Sequence, residues 1–180
     1  MWIEDENTRK KMGQRLRSIR KRKGLTWEDI PKKGIRFPSA SMVATYERGE
    51  HMVDGMNIMR ICSALNTDIR ALYENDYDGS LDNGDTYGDL YNERDDVLIG
   101  NFARNLYFYR TQHKFTHRKL AEAMGDIVTY AAISYYESGQ RIPRGYNLYR
   151  LCVALNISVF SLFANEPPVY GPYMPHHASN

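Results

Sequence analysis

With 180 residues, of which 42% are hydrophobic, the chain is long enough for one or two small domains with buried cores. Its net charge of +2 is unevenly spread: residues 1–75 carry 15 Lys and Arg against 10 Asp and Glu, residues 76–97 carry 1 against 8, and residues 98–180 carry 8 against 4. No apolar run approaches the roughly 18 residues of a membrane span and no signal-peptide pattern occurs, so we expect a soluble, cytoplasmic protein with no membrane partner, whose basic blocks suit an anionic ligand.

The first predicted element is a helix over residues 9–23, preceded by a loose arm over residues 1–8. Met12, Leu16 and Ile19 recur at helical spacing and form its apolar face. Its other faces carry a run of Arg and Lys, a composition that fits either an anionic ligand or simple solvation.

Thr26 begins a second helix as its N-cap, with Asp29 in the position of a capping box. Pro31 interrupts this helix, because a proline inside a helix removes a hydrogen bond and clashes with the preceding turn. We therefore expect a short or bent helix and then an irregular turn over residues 32–38. A third helix follows over residues 39–48.

A fourth helix is predicted over residues 53–65, with Asn66 as its stop, since Asn tolerates the left-handed region. Asp68 is placed to cap a last short helix. Five short helices, each with one apolar stripe, can close around a single core.

The same pattern returns ninety residues later without a gap. The identities at this offset include Leu16 and Leu106, Arg20 and Arg110, Thr26 and Thr116, Tyr46 and Tyr136, Glu47 and Glu137, Gly49 and Gly139, Gly55 and Gly145, Arg60 and Arg150, Cys62 and Cys152, and Leu72 and Leu162. So many matches in one register indicate two copies of one small domain, and a period this long suits two independent domains rather than a solenoid.

The second copy is predicted to contain five helices, at residues 95–114, 117–124, 130–138, 146–155 and 159–164. Its predicted core consists of Leu106, Tyr109, Phe115, Leu120, Ile133, Tyr136, Leu148, Leu151, Leu155, Val159 and Leu162. The resulting boundaries are a first domain at 9–75, an acidic flexible linker at 76–94, a second domain at 95–166, and a disordered tail at 167–180.

Three short motifs of the first copy have counterparts in the second. They are Arg20-x-x-x-Gly24-Leu-Thr26, Tyr46-Glu-Arg-Gly49 and Leu65-Asn-x-Asp-Ile-x-x-Leu72, matched by Arg110…Phe115-Thr, Tyr136-Glu-Ser-Gly139 and Leu155-Asn-Ile-Ser158. This constellation resembles the lambda-repressor-like, or XRE, helix-turn-helix family, and its Thr-to-Glu spacing resembles the BldD-like subgroup. The resemblance implies an all-α chain of two tandem five-helix helix-turn-helix domains, with double-stranded DNA as the partner.

In that family the third helix lies in the major groove, with its early residues at base edges. Carried over by position, the base-facing candidates are Ser39, Ala40, Ser41 and Thr45 in the first copy, with Arg36 just before them, and Thr129, Tyr130, Ala131 and Tyr135 in the second. The phosphate-facing candidates are Arg20, Lys32, Lys33, Arg48, Arg110, Arg118, Lys119, Arg141 and Arg144. Trp27 and His117 replace a Gln that often contacts DNA in the family, and they complete the set.

Other chemistry is not indicated. Glu47 and Glu137 are expected in internal salt bridges or caps, because phosphates repel carboxylates. Cys62 and Cys152 fit a reducing compartment and a buried apolar role. No nucleophile, base and orienting residue converge, and no glycine-rich phosphate loop occurs, so we predict neither an enzyme nor a cofactor or metal site.

The sequence is compatible with two functions. The first is a nucleoid-associated transcription regulator, such as a repressor, whose two heads are tethered by the linker and read two unlike half-sites or a direct repeat. The second is a protein-interaction role, in which one or both copies dock a protein, as in an antitoxin or a regulator's partner, or in which the second domain forms a homodimer. A tail rich in Tyr and Pro and a cluster of aromatic residues in the second copy motivate this alternative; the cluster consists of Phe102, Tyr107, Phe108, Tyr109, Tyr130 and Tyr135.

Overall fold

The computed structural model of the chain describes residues 5–29, 38–80 and 90–166, and we call the described residues up to 80 the first half and those from 90 the second half. The regular secondary structure of the described residues consists of helices and one isolated β-bridge, which joins Asp54 and Arg144. The helices are α1 (Glu6–Arg22), α2 (Ala40–Glu47), α3 (Gly55–Leu65), α4 (Arg70–Tyr73), α5 (Asp95–Gln112), α6 (His117–Ala123), α7 (Tyr130–Glu137), α8 (Gly145–Leu155) and α9 (Val159–Phe163). None of them is long and apolar enough to cross a membrane.

Local capping explains where α1, α3 and α8 begin and end. The Asp5 carboxylate accepts a hydrogen bond from the Thr8 N–H at 2.7 Å, so α1 begins at its N-cap and residues 6–8 are helical instead of forming the loose arm expected there. Asn66 and Asn156 end α3 and α8 with φ of 48° and 50°, the left-handed conformation predicted for Asn66.

The segment after α1 differs from its counterpart in the second half. Thr26 and Asp29 form the expected reciprocal cap: the Thr26 N–H donates to the Asp29 carboxylate at 2.7 Å, and the Asp29 N–H donates to the Thr26 hydroxyl at 3.3 Å. Residues 27–29 nevertheless form a turn and not a helix, and residues 30–37, where the proline interruption falls, lie outside the described residues. The counterpart segment without a proline forms the regular helix α6, as expected.

Each half has buried apolar residues at the predicted helical spacings. Met12, Leu16 and Ile19 of α1 are buried, and the predicted core of the second half is buried apart from Phe115, which is half-buried. Phe102 of α5, which was expected among the exposed aromatic residues that would bind a protein, is instead fully buried, and its ring lies 5.2 Å from that of Phe163.

Two buried asparagines of α5 satisfy the carbonyls at the end of α9. The Asn105 amide donates to the Ser161 and Ala164 carbonyls at 3.1 and 2.8 Å, and the Asn101 amide donates to the Phe163 carbonyl at 3.2 Å. The last carbonyls of a helix have no partner within the helix, so these amides replace the water that burial excludes.

The end of the predicted flexible linker is instead folded against α3. Residues 90–92 form a short 3-10 helix with Leu90 buried. The buried Arg60 guanidinium donates to the Tyr91 and Glu93 carbonyls at 2.7 and 3.0 Å and pairs with Asp95. A buried cation with three oxygen partners holds this segment in place, and residues 81–89 lie outside the described residues.

The two halves pack directly on each other, and the contact joins α3 and α4 to α8 and α9. The Gly145 N–H donates to the Val53 carbonyl at 2.9 Å, and the Ser158 hydroxyl donates to the buried Asp68 carboxylate at 2.7 Å. The halves are therefore not the independent units that the sequence analysis expected, because buried hydrogen bonds connect them.

Candidate nucleic-acid interface

A buried ion pair fixes α2 against α1. Arg20 donates from Nε and Nη2 to the Glu47 carboxylate at 2.5 and 2.9 Å, and from Nη1 to the Leu25 carbonyl at 2.7 Å. The Trp27 indole N–H donates to the same carboxylate at 2.6 Å, and the Arg20 guanidinium lies over the Trp27 ring. Arg20 and Glu47 are only 6% and 5% exposed, so this network fixes the end of α2.

The second half contains the same arrangement ninety residues later. Arg110 donates from Nη2 to the Glu137 carboxylate at 2.9 Å and from Nη1 to the Phe115 carbonyl at 2.7 Å. The ring nitrogen Nε2 of His117 lies 2.9 Å from the same carboxylate, where the first half has an indole. The hydrogen bond to Glu137 raises the pKa of the Arg110 guanidinium. The end of α7 is therefore held to α5 as α2 is held to α1.

These networks correct part of the predicted site. The residues drawn into them that the sequence analysis assigned to DNA are Arg20, Trp27, Arg110 and His117. A guanidinium that left its buried carboxylate for a phosphate would leave that carboxylate unpaired, at a cost of about 3–5 kcal/mol. We therefore assign the two arginines to positioning α2 and α7, while Trp27 and His117 contact the same carboxylates. The internal salt bridges predicted for both glutamates are confirmed.

The first turn of α2 presents short polar side chains to solvent. The Ser39 hydroxyl accepts the Met42 N–H at 3.3 Å and lies 3.0 Å from the Ser41 hydroxyl. Thr45 donates its hydroxyl to the Met42 carbonyl at 2.7 Å, and Ala40 is half-buried beside them. Met42 is also exposed and was missed, because a methionine next to the apolar stripe resembles a core residue.

The first turn of α7 presents larger side chains. Thr129 caps the helix by accepting the Ala132 N–H at 3.2 Å. Tyr130 is 58% exposed, Ala131 is exposed, and Tyr135 projects from the next turn. Equivalent positions of α2 and α7 therefore carry different chemistry, with hydroxyl groups on one helix and phenol rings on the other.

Two arginines stack on these phenol rings. The Arg118 guanidinium lies 5.9 Å from the centroid of the Tyr130 ring, and the Arg141 guanidinium lies 5.1 Å from that of Tyr135. Exposed cation–π contacts of this kind contribute about 0.5–1 kcal/mol. They hold two cations beside the exposed face of α7 while their N–H groups stay available to an anion.

The remaining predicted phosphate contacts are less uniform. Arg48 is exposed but pairs with Glu50 at 2.5 Å, and that hydrogen bond raises its pKa. Lys119 is exposed on α6, and Arg144 is exposed beside the contact between the halves, 3.8 Å from the Met52 sulfur. The predicted residues that lie outside the described ranges are Lys32, Lys33 and Arg36.

Buried tyrosines anchor both exposed helices. Tyr46 of α2 and Tyr136 of α7 are core residues, as predicted, and burial raises the pKa of each phenol. The Tyr46 hydroxyl accepts a hydrogen bond from the Asn57 amide of α3 at 3.2 Å. One face of α2 is therefore fixed from inside while the opposite face remains in solvent.

Comparison with known families identifies part of the chain. Residues 106–162 match a sequence model described as helix-turn-helix, a stretch that covers less than half of the chain and includes α6 and α7. The second half therefore contains a helix-turn-helix domain. Searches of curated proteins and of solved structures gave no match.

Proposed function

We propose that the chain is a sequence-specific, DNA-binding transcription regulator in which two helix-turn-helix domains, residues 9–75 and 95–166, act on one operator. One observation carries the proposal. The Arg–Glu network that fixes α7 in the family-matched half recurs around α2 in the first half, with each partner shifted by ninety residues. Both helices are thus anchored through the same contacts.

The exposed faces of α2 and α7 are compatible with the floor of the major groove. The acidic residue of each helix, Glu47 or Glu137, is turned inward to its arginine, so neither exposed face brings a carboxylate to the phosphates. Ser41 and Thr45 can donate to or accept from any base edge, which gives docking with weak discrimination, whereas Ala131 can contact a thymine methyl group. Arg118, Arg141 and Lys119 supply charge beside α7.

A matched pair of tyrosines provides the test. Tyr130 and Tyr107 are 58% and 57% exposed, and each lies under an arginine, but only Tyr130 belongs to α7. With a duplex selected from random DNA by the full chain, Tyr130→Ala should weaken binding about tenfold or more, since a base contact contributes about 1–3 kcal/mol. Tyr107→Ala should change the affinity by less than threefold, since Tyr107 touches α7 only through the Arg110 guanidinium that stacks on its ring.

Salt dependence adds an independent readout. Lys119→Ala should flatten the slope of log K against log salt by about 0.9, the contribution of one neutralised phosphate. Arg94→Ala is the control, because Arg94 is exposed, pairs with Asp96 and is not among the predicted phosphate contacts. Equal effects of the tyrosine variants would exclude α7 as the DNA-reading helix, and a slope that neither variant changes would exclude a phosphate contact by Lys119.

The exposed rings of Tyr107, Tyr130 and Tyr135 favour one alternative, that the second domain binds a protein or a second copy of the chain. On that reading Tyr107→Ala and Tyr130→Ala have equal effects on the affinity for DNA, both weaken the association with the protein or the second copy, and that association changes little with salt. The same two variants and the same titration therefore separate the two functions.

A further inference from the structure

Residues that are ninety positions apart meet each other where the two halves touch. Asp54 and Arg144 form the isolated antiparallel bridge, and Ser158 donates its hydroxyl to Asp68 at 2.7 Å. Each pair joins a residue to its own counterpart in the repeat. A residue can contact its own counterpart only beside a twofold axis, whereas copies related by translation bring different surfaces together.

Reciprocal contacts around these pairs have the same symmetry. The Gly145 N–H donates to the Val53 carbonyl at 2.9 Å, and a Cβ on Gly55 would clash with the Pro143 carbonyl. The second contact is the first with each residue exchanged for its counterpart. The helix pairs follow the same rule, since α3 packs on α8, α4 packs on α8, and α9 packs on α3.

The contact is closely packed and partly buried. A Cβ on Gly145 would lie 3.0 Å from the Ile58 side chain and 3.1 Å from the Tyr73 hydroxyl. The Tyr73 ring stacks on the Tyr149 ring with centroids 4.8 Å apart, and burial together with Glu74 raises the pKa of Tyr149 to about 12. Close packing of this kind sets one relative orientation of the halves, which a flexible tether does not.

We propose that the two halves form an intramolecular pseudo-dimer, so that one molecule reads an operator of two unlike half-sites in inverted orientation at a fixed spacing. The inference rests on the proposed function. A twofold axis turns α2 and α7 to opposite polarity along a duplex, which excludes the direct repeat that a flexible linker would permit. The half-sites differ because Ser41 and Thr45 stand where α7 has Ala131 and Tyr135.

The residues on the axis favour this pairing of unlike halves. Asp68 is fully buried and accepts hydrogen bonds from the Ser158 hydroxyl and the Val159 N–H at 2.7 and 2.9 Å. Two first halves in the same geometry would bring two buried Asp68 carboxylates together, and such carboxylates cannot both ionise without a large penalty. The Asp–Ser pair therefore selects the intramolecular partner over a homodimer of first halves.

Two experiments on the full chain test the proposal. For the junction, Asp54→Cys combined with Arg144→Cys should form an intramolecular disulfide under oxidised glutathione, which is reduced as the two thiols are oxidised. The antiparallel bridge brings these positions within disulfide range. The intact monomer then loses two hydrogen atoms in mass, and Asp54→Cys alone is the control. Failure to cross-link, or cross-linking only between molecules, overturns the pseudo-dimer.

For the operator, the full chain selects sites from random duplex DNA, and its stoichiometry on them is measured by native mass spectrometry. We expect one chain per site, an inverted arrangement of two unlike half-sites, and affinities of the oxidised and reduced forms of the double-cysteine variant that agree within threefold. Inserting about five base pairs, half a helical turn, between the half-sites should lower affinity by about 10²–10⁴, the contribution of joining the two contacts. Enrichment of a direct repeat, or tolerance of the insertion, overturns the proposal.

Failure of the function itself gives a different result. If the disulfide forms but the folded chain enriches no DNA, the proposed function fails and the operator inference fails with it, while the junction stands as an interface within the chain. If DNA is enriched but the disulfide does not form, the proposed function survives and the pseudo-dimer is overturned.

Discussion

Replacing Glu47 by Gln tests whether the buried ion pair positions α2. The carboxylate accepts two hydrogen bonds from Arg20, at 2.5 and 2.9 Å, and one from Trp27, at 2.6 Å. The amide of Gln has a single acceptor oxygen, and its NH₂ group would face N–H donors. Arg20 would also be left as a buried cation without a counterion, and breaking a buried pair by removing one partner costs about 3–5 kcal/mol. We expect Glu47→Gln to lower the free energy of unfolding by about 3 kcal/mol.

The assay is urea unfolding followed by circular dichroism, with the slope against urea compared between variants. Glu50→Gln is the control, because Glu50 forms an ion pair with Arg48 in which both side chains are about half-exposed, and solvent screening leaves such a pair with little effect on stability. A loss below about 1 kcal/mol for Glu47→Gln, or equal losses for both variants, would refute the assignment of the buried pair as the anchor of α2.

Two further predictions concern the contact between the halves. Burial raises the pKa of Asp68 above its ordinary value of 3.8, so the fold favours the protonated carboxyl and loses stability as pH rises from about 4 through the raised pKa. In urea unfolding between pH 4 and 7, the free energy of unfolding of Asp68→Asn should therefore depend less on pH than that of the unsubstituted chain. Parallel pH profiles of the two proteins would contradict this prediction. Gly55→Ala should destabilise the chain by about 1–3 kcal/mol, because its methyl group would lie 2.8 Å from the Ile142 side chain and closer still to the Pro143 carbonyl. Gly100→Ala, on α5 with open space around it, should instead stabilise the chain by up to about 1 kcal/mol, and a gain or no change with Gly55→Ala would argue against close packing of the halves.

Features that depend on nearby residues could be predicted from the sequence. Apolar spacing, caps and stop residues gave α1, α3 and α8 to within a few residues of their observed ends, because a helix and its caps are set by residues within a turn of each other. The reciprocal cap of Thr26 and Asp29 was predicted for the same reason, since its partners are three residues apart.

Features that depend on distant partners could not be predicted. Asn105 lies 59 residues from Ala164, whose carbonyl it caps, and Arg60 lies 31 residues from Tyr91. Polar residues within apolar helices signal such partners without naming them. Arg20 was assigned to phosphate because an arginine that fits a basic surface also fits a buried carboxylate, and only the fold distinguishes the two.

The repeat predicted two copies, but not that they face each other. One signal was present: Gly55 and Gly145 recur at the first position of a helix, and neither has the positive φ that would otherwise require glycine. A glycine that occurs at both positions although its φ is not positive indicates that another segment approaches the backbone closely there.

The pairing of Asp68 with Ser158 has a consequence for how this chain can change. In a dimer of identical subunits each substitution is present twice, once on either side of the twofold axis, so both halves of the complex change together. In this chain every substitution is present only once. A mutation in α7 can alter one reading surface while α2 keeps its own, and a side chain on the axis needs to suit its partner but not itself. Because both halves belong to one polypeptide, the sequence of each half can diverge independently while the nearly twofold arrangement is kept.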